Sequence, residues 1–182
     1  MIRFFDLSIS FVLLVIIFPV MLLIFLICFF DTGSPLLLQD RVGKNLKIFK
    51  LLKFRTMQLN TDSVASHLAD PNKITKVGRY LRKYKLDELP QLINVLKGDM
   101  SLVGPRPNLP NQSELIEERK KMFVYNVLPG ITGLAQVSGV DMSTPSDLAK
   151  KDLEGISNMS LHKYFYIIWK TILGKGVGDA LK

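Results

Sequence analysis

The run Leu7-Ser-Ile-Ser-Phe-Val-Leu-Leu-Val-Ile-Ile-Phe-Pro-Val-Met-Leu-Leu-Ile-Phe-Leu-Ile-Cys-Phe-Phe30 has 24 residues, and Cys28 is its one ionisable side chain. Asp6 and Asp31 bound it. About 20 consecutive apolar residues let a helix cross the hydrocarbon core of a bilayer, so this run is long enough. A cleavable leader has a shorter apolar core and a small-residue cleavage site. Here Asp31-Thr-Gly-Ser-Pro35 leads directly into a basic segment, and the run is expected to be retained. Pro19, near its middle, removes a backbone donor and crowds the preceding turn, which kinks a helix in a way that membrane surroundings tolerate. Arg41, Lys44, Lys47 and Lys50 follow the run, and this positive charge assigns the downstream side to the cytoplasm. Arg3 and the amino group weakly favour the same side for the start. Residue chemistry leaves two arrangements open: a simple span, and a kinked helix that enters and leaves by one face.

The whole chain has 182 residues, 48% of them hydrophobic, which supports one ordinary core and leaves no room for two independent domains. One catalytic unit plus an anchor is the expected plan. The formal net charge of +8 asks for a polyanionic partner, which nucleic acid, an anionic lipid surface or a phosphorylated substrate would each satisfy. A single cysteine excludes an intramolecular disulfide and fits a reducing compartment. With His67 and His162 the only histidines, a zinc site of His and Cys is disfavoured. A hard cation held by carboxylates and phosphate is the better expectation.

From Ser34 onward the pattern is globular. Short apolar runs, Pro35 to Leu38 and Phe49 to Phe54, are separated by Arg41, Gly43 and Lys44, which suits short strands or irregular loops. Gln58 to Asn72 is polar and ends in Asp70-Pro71, so it reads as a loop excursion. Between Lys73 and Lys85, Ile74, Val77, Leu81 and Tyr84 recur at helical spacing among six basic residues, the pattern of a basic amphipathic helix. Such a face is either simply solvated or docked on anionic headgroups. The glycine-rich tail Gly174-Lys-Gly-Val-Gly178 lacks the spacing of a phosphate loop.

The chemistry concentrates in Leu86-Asp-Glu-Leu-Pro-Gln91 and the following Leu92-Ile-Asn-Val-Leu-Lys-Gly98. Leu89, Leu92, Ile93 and Leu96 form one helical face, Gly98 supplies a stop, and Pro90 fits only in a first turn. Asp87 therefore stands near the helix start, where a carboxylate ordinarily serves as a cap and Glu88 complements the dipole. A helix start also receives phosphate, and two carboxylates meeting a third anion need countercharge. Arg82, Lys83 and Lys85 precede the pair, Lys53 and Arg55 lie upstream, and Arg106 sits between Pro105 and Pro107. A divalent cation would complete the neutralisation by bridging a carboxylate and phosphate oxygens. Attack of a carboxylate on phosphorus yields an acyl phosphate reactive enough to hand its phosphoryl group on.

These residues bring a family into view. The chain resembles the monotopic phosphoglycosyl transferases, bacterial sugar transferases that start polyprenyl-linked glycan assembly. The resemblance rests on Arg3 with Asp6, Gln39-Asp-Arg-Val-Gly-Lys44, Lys53-Phe-Arg-Thr-Met57 and Leu86-Asp-Glu-Leu-Pro-Gln91. It continues in Asn94 through Pro107, Pro129-Gly-Ile-Thr-Gly133 and Ala135-Gln-Val137. It implies transfer of sugar 1-phosphate from a UDP-sugar to polyprenyl (undecaprenyl) phosphate with release of UMP, and a requirement for Mg2+. Asp87 would be the nucleophile of a ping-pong reaction through an aspartyl-phosphosugar intermediate, with Glu88 its dyad partner. Both are expected metal contacts, and Lys53, Arg55, Arg82 and Arg106 are expected phosphate contacts. The implied fold is α+β and mostly helical. Residues 1–33 would form a re-entrant membrane helix broken near Pro19, and residues 34–182 a small cytoplasmic catalytic domain with amphipathic interfacial helices. The implied location is the cytoplasmic face of the inner membrane, in contact with membrane lipid, with the N-terminus cytoplasmic. Ser138-Gly-Val-Asp141 and Tyr164 depart from common family patterns and leave the donor sugar open.

Two other classes compete. A non-catalytic membrane-bound platform would bind anionic lipid or nucleotide-sugar without UMP release, and it leaves the carboxylate pair unexplained. A nucleic-acid binder would use the charge but neither the apolar run nor the carboxylates, and no stacking or groove-reading motif supports it, so no nucleic-acid partner is expected.

Overall fold

The computed structural model describes residues 1–59, 61, 70–157 and 159–174. The apolar run lies within one helix, α1 (Ile2–Thr32), with Pro19 inside it. The helix stops because Gly33 takes a left-handed conformation, φ 71°, and its N–H donates to Phe29 O. Among the described residues α1 is the one helix long and apolar enough to cross a membrane. It is not a free rod. Ile2, Phe5, Ile9, Leu14 and Ile17 pack on a core of Leu51, Leu92, Val95, Met100, Leu102, Val103, Tyr164 and Ile167. Further along, Met21, Ile24 and Cys28 pack with Phe54 and Leu81. These positions recur every three to five residues, so one stripe of α1 lies on the globular body while Phe11, Val15, Phe18, Leu22 and Phe29 on other faces are exposed.

The globular part is mostly helical with two small sheets. Strands β1 (Leu36–Val42) and β2 (Ile48–Phe54) form an antiparallel hairpin, Leu36 opposite Phe54 and Val42 opposite Ile48. The two apolar runs, read as short strands or irregular loops, lie in strands, and β1 continues past Leu38 through Arg41 to Val42. Helix α2 (Lys76–Lys83) is shorter than the 73–85 segment read from the sequence. Its start is fixed by Thr75, whose hydroxyl accepts from the N–H of Gly78 at 2.8 Å, and Ile74 is drawn instead into a bridge with Met57. Val77 and Leu81 face inward as expected, but Tyr84 lies past the helix end and is exposed. Gly78 presses on the 55–57 segment: a Cβ there would lie 2.1 Å from Thr56 O.

Helix α3 (Gln91–Lys97) ends at Gly98, φ 94°, as read from the sequence. Strand β3 (Ser101–Val103) pairs in parallel with β4 (Gly130–Thr132). Helices α4 (Ser113–Lys121), α5 (Leu134–Val137), α6 (Pro145–Ile156) and α7 (Leu161–Ile172) complete the body. The loop expected over Gln58 to Asn72 lies largely outside the described residues, as do positions 175–178 of the glycine-rich tail.

The N-terminal end of α1 is tied down by polar contacts. Asp6 is buried and accepts from Ser101 Oγ, the N–H of Leu102 and Tyr164 Oη at 2.9–3.0 Å. Arg3 donates to Val95 O in the last turn of α3 at 2.6 Å and to Met100 O, just before β3, at 2.9 Å. A carboxylate on an otherwise apolar helix is costly to bury, and three donors offset that cost.

Candidate active site

The chain leaves α2 through Lys85, a non-glycine residue in the left-handed conformation at φ 56°, and enters a 3-10 turn over Leu86–Glu88. This turn carries the carboxylate pair. Leu86 and Leu89 pack against Ile24, Cys28, Phe54 and Leu81, so the pair is seated on the C-terminal half of α1. Asp87 does not cap α3. The N-cap of α3 is Pro90, with no side-chain cap, and Asp87 stands one turn earlier. Asp87 and Glu88 are nonetheless buried, 2% and 8% exposed.

Arg106 is in direct contact with the pair, its Nη2 2.6 Å from Glu88 Oε1. Charge assistance makes this a strong hydrogen bond, and it balances one buried negative charge. Lys53, near the end of β2, and Arg82, on the last turn of α2, are both buried on the two elements that pack against the turn. Arg82 is oriented by Thr56, whose Oγ1 accepts from its Nε at 2.9 Å. Arg55 is placed differently. Its guanidinium donates to Ser34 O at 2.9 Å and lies 3.3 Å from Ser34 Oγ and 3.4 Å from Leu36 O, at the foot of the hairpin.

Two polar elements around the site were not singled out from the sequence. Asn94, buried on α3, accepts from the N–H of Leu52 at 2.9 Å and donates to Lys50 O at 2.8 Å, stitching α3 to the edge of β2. Arg119 on α4 and Asp152 on α6 form a buried ion pair, with Nε and Nη2 both donating to Asp152 Oδ2 at 2.9 and 2.6 Å. Burial pushes the Asp152 carboxyl up from its ordinary value, and the Arg119 charge and hydrogen bonds pull against it. A faint signal existed. Arg119 follows buried Leu115 by four residues, and Asp152 follows buried Leu148 by four, so both occupy the inward phase of their helices.

Among the described residues no three His, Cys, Asp or Glu side chains gather into a protein-only metal cage. Mg2+ characteristically takes one or two carboxylates and completes its shell with water and substrate phosphates. Asp87 and Glu88, adjacent and buried, offer a donor set of that kind. What the arrangement can do chemically is present a carboxylate, with cations close by, to a phosphorylated ligand.

Residues 1–175 match the family model described as bacterial sugar transferase. The chain is 37% identical to the exopolysaccharide production protein ExoY of Sinorhizobium fredii, over 93% of this chain and 83% of that protein. It is 38% identical to the undecaprenyl-phosphate glucose phosphotransferase of Komagataeibacter xylinus, over 93% of this chain but 35% of that longer protein. With the undecaprenyl-phosphate galactose phosphotransferase of Salmonella typhimurium the identity is 36%, over 93% of this chain and 39% of the relative. With the family model covering nearly all of its length and its carboxylates and arginine gathered at one turn, the chain belongs to the bacterial sugar transferase family and is an enzyme of that kind.

Proposed function

We propose that this enzyme transfers sugar 1-phosphate from a UDP-sugar to undecaprenyl phosphate, releasing UMP, by a ping-pong reaction at Asp87. The observation that carries the reading is the buried Asp87–Glu88 turn, with Arg106 on Glu88 and the flanking leucines on α1. Carboxylate, countercharge and the apolar helix meet at this turn, which supports reading Asp87 as the nucleophile. The names of the relatives from Komagataeibacter xylinus and Salmonella typhimurium support the acceptor.

The two steps balance on this chain's residues. A carboxylate oxygen of Asp87 attacks the phosphorus that bears the sugar, and the bond from that phosphorus to the oxygen bridging to UMP breaks. UMP leaves, and Asp87 carries the phosphosugar as a mixed anhydride. A phosphate oxygen of the lipid then attacks the same phosphorus, the aspartyl bond breaks, and a lipid diphosphate sugar departs. Arg106, Arg82 and Lys53 would hold the phosphates. Glu88 keeps Arg106 in place until the donor's phosphate competes for it. Mg2+ bound at Asp87 and Glu88 would supply further charge neutralisation.

The stripe on α1 supports a re-entrant arrangement in the membrane, with the helix bent near Pro19. Both ends of the helix meet one polar body, Arg3 and Asp6 near β3 and Cys28 near the dyad turn. Placing those ends on opposite faces of a hydrocarbon core about 30 Å thick would draw that body's backbone and charges into lipid. A re-entrant helix, with both ends and the catalytic domain on the cytoplasmic face, avoids this. Exposed Phe165, Trp169 and Ile172 on α7 and exposed Tyr80 and Tyr84 with the basic side of α2 suit the lipid interface.

The test of activity is a UMP-release screen across UDP-sugars with undecaprenyl phosphate and Mg2+. One donor is expected to give sustained release, and silence with every UDP-sugar would dismiss the donor class. The test of topology is a cysteine placed near residue 2 and challenged with an impermeant reagent on intact cells. Protection is expected; labelling would contradict the re-entrant arrangement.

A further inference from the structure

Arg106 reaches Glu88 from a segment that is poorly equipped to hold itself. Pro105 and Pro107 lack backbone donors, so the segment Pro105–Leu109 is a poor member of any ladder, and its buried carbonyls need donors from elsewhere. Each carbonyl from Pro105 to Asn108 has one. The N–H of Gly130 donates to Pro105 O at 2.9 Å, and that of Val42 to Asn108 O at 2.9 Å. Arg41 Nη1 donates to Pro107 O at 3.0 Å. The carbonyl of Arg106 itself is taken by Arg119 Nη1 at 2.9 Å.

The same Nη1 lies 3.0 Å from Asn108 Oδ1, which also accepts from Tyr125 Oη at 2.9 Å. Since Nε and Nη2 of Arg119 both go to Asp152, one guanidinium ties α4, α6 and the two-proline segment together. All three of its nitrogens are engaged and it is fully buried, so it is not itself a ligand contact.

Taking Arg106 as a phosphate contact, as the proposed function does, we infer that Arg119 is a positioning residue for catalysis. It fixes the backbone of Arg106 so that this side chain meets Glu88 and then the donor phosphate. A displacement of about 1 Å at a phosphate clamp can cost about a hundredfold in rate, so a purely scaffolding role and a positioning role differ in what they do to turnover.

The discriminating experiment is a double-mutant cycle on the full chain in detergent or nanodiscs. Arg119→Lys keeps a positive charge on Asp152, but a single ammonium cannot serve three acceptors in a planar fork. In the native background it is expected to lower kcat/KM about tenfold, and in an Arg106→Ala background by less than about twofold, because its effect passes through Arg106. Equal losses in the two backgrounds would overturn the inference. Should Arg119→Lys fail to fold, Tyr125→Phe removes one donor to Asn108 and is held to the same rule, with an expected loss of about threefold confined to the native background.

A second readout needs no substrate. In protein labelled with 15N-arginine, the side-chain Nε–H resonance of Arg106, identified by its disappearance in Arg106→Ala, is expected to move toward that of exposed arginines in Arg119→Lys. In Tyr125→Phe it moves less. An unmoved resonance would overturn positioning even if no UDP-sugar proved to be the donor, whereas a moved resonance with no UMP release would sink the donor chemistry and leave the positioning intact.

Discussion

Two arginine–carboxylate pairs in this molecule have the same shortest distance, 2.6 Å, and opposite surroundings. In Arg119–Asp152 the side chains are 1% and 3% exposed; in Arg106–Glu88 they are 20% and 10% exposed. The sealed pair has given up its water, so each charge depends on the other for compensation, and nothing from solution can exchange with it. The open pair has a partner now but retains an approach from solvent. An arginine in that position can pass from a carboxylate to a phosphate. Proximity alone therefore does not mark a functional ion pair. What marks it is an edge left open to a ligand, and the two pairs are joined in series through the Arg106 carbonyl.

The contrast can be broken most severely at the sealed pair. Arg119→Met strands the Asp152 carboxylate in the interior, and a loss of about 3–5 kcal/mol in unfolding free energy is expected by denaturant titration. An unfolding midpoint unchanged from the native chain would show that the pair is not compensating a buried charge. Arg106→Ala attacks the open pair. Here the loss of stability should be smaller than at the sealed pair, about 1–3 kcal/mol, because Glu88 loses a partner but keeps an edge toward solvent. Turnover should fall by about a hundredfold, mostly through kcat/KM for the UDP-sugar. A variant that unfolds readily yet turns over normally would reverse the assignment of the two pairs.

A smaller effect is expected at Tyr164, which donates to the buried Asp6 at the far end of α1. Burial first, then the hydrogen bond and charge of Asp6, raise its pKa well above the ordinary tyrosine value. The unfolded tyrosine loses its proton near pH 10, whereas the folded one keeps it. The folded state then holds the extra proton, so stability is fully present below about pH 10 and falls as the pH rises beyond it. Burial acts on Tyr125 in the same direction. Tyr164→Phe should lower stability at neutral pH by about 1 kcal/mol and flatten part of the alkaline decline in a pH series of thermal melts. An alkaline limb identical to that of the native chain would assign the decline to other groups.

The legible parts of this chain were those encoded by neighbours in sequence. An uninterrupted apolar run became α1, runs punctuated by Gly43 and basic residues became the β1–β2 hairpin, and Gly98 ended α3 through its left-handed conformation. Charge adjacency singled out Asp87 and Glu88, and Arg106 between two prolines proved to be the cation on Glu88. What local spacing does not carry is pairing over distance. Arg119 meets Asp152 across 33 residues and Tyr164 meets Asp6 across 158, and nothing in the local spacing pairs them. The boundaries of α2 moved for the same reason. Ile74 has the right helical phase, but its bridge to Met57 is a tertiary contact that overrides propensity. Arg55 stands in the same block as Lys53, yet the hairpin foot claims its donors.

The most direct test of the account is intact-protein mass measurement after the enzyme is mixed with its UDP-sugar in the absence of lipid acceptor. A single adduct with the mass of the sugar phosphate is expected, mapped to Asp87, discharged by undecaprenyl phosphate and missing in Asp87→Asn. An adduct of the same mass on Asp87→Asn, or lipid-linked product formed by that variant at the native rate, would contradict the assignment of Asp87 as the nucleophile.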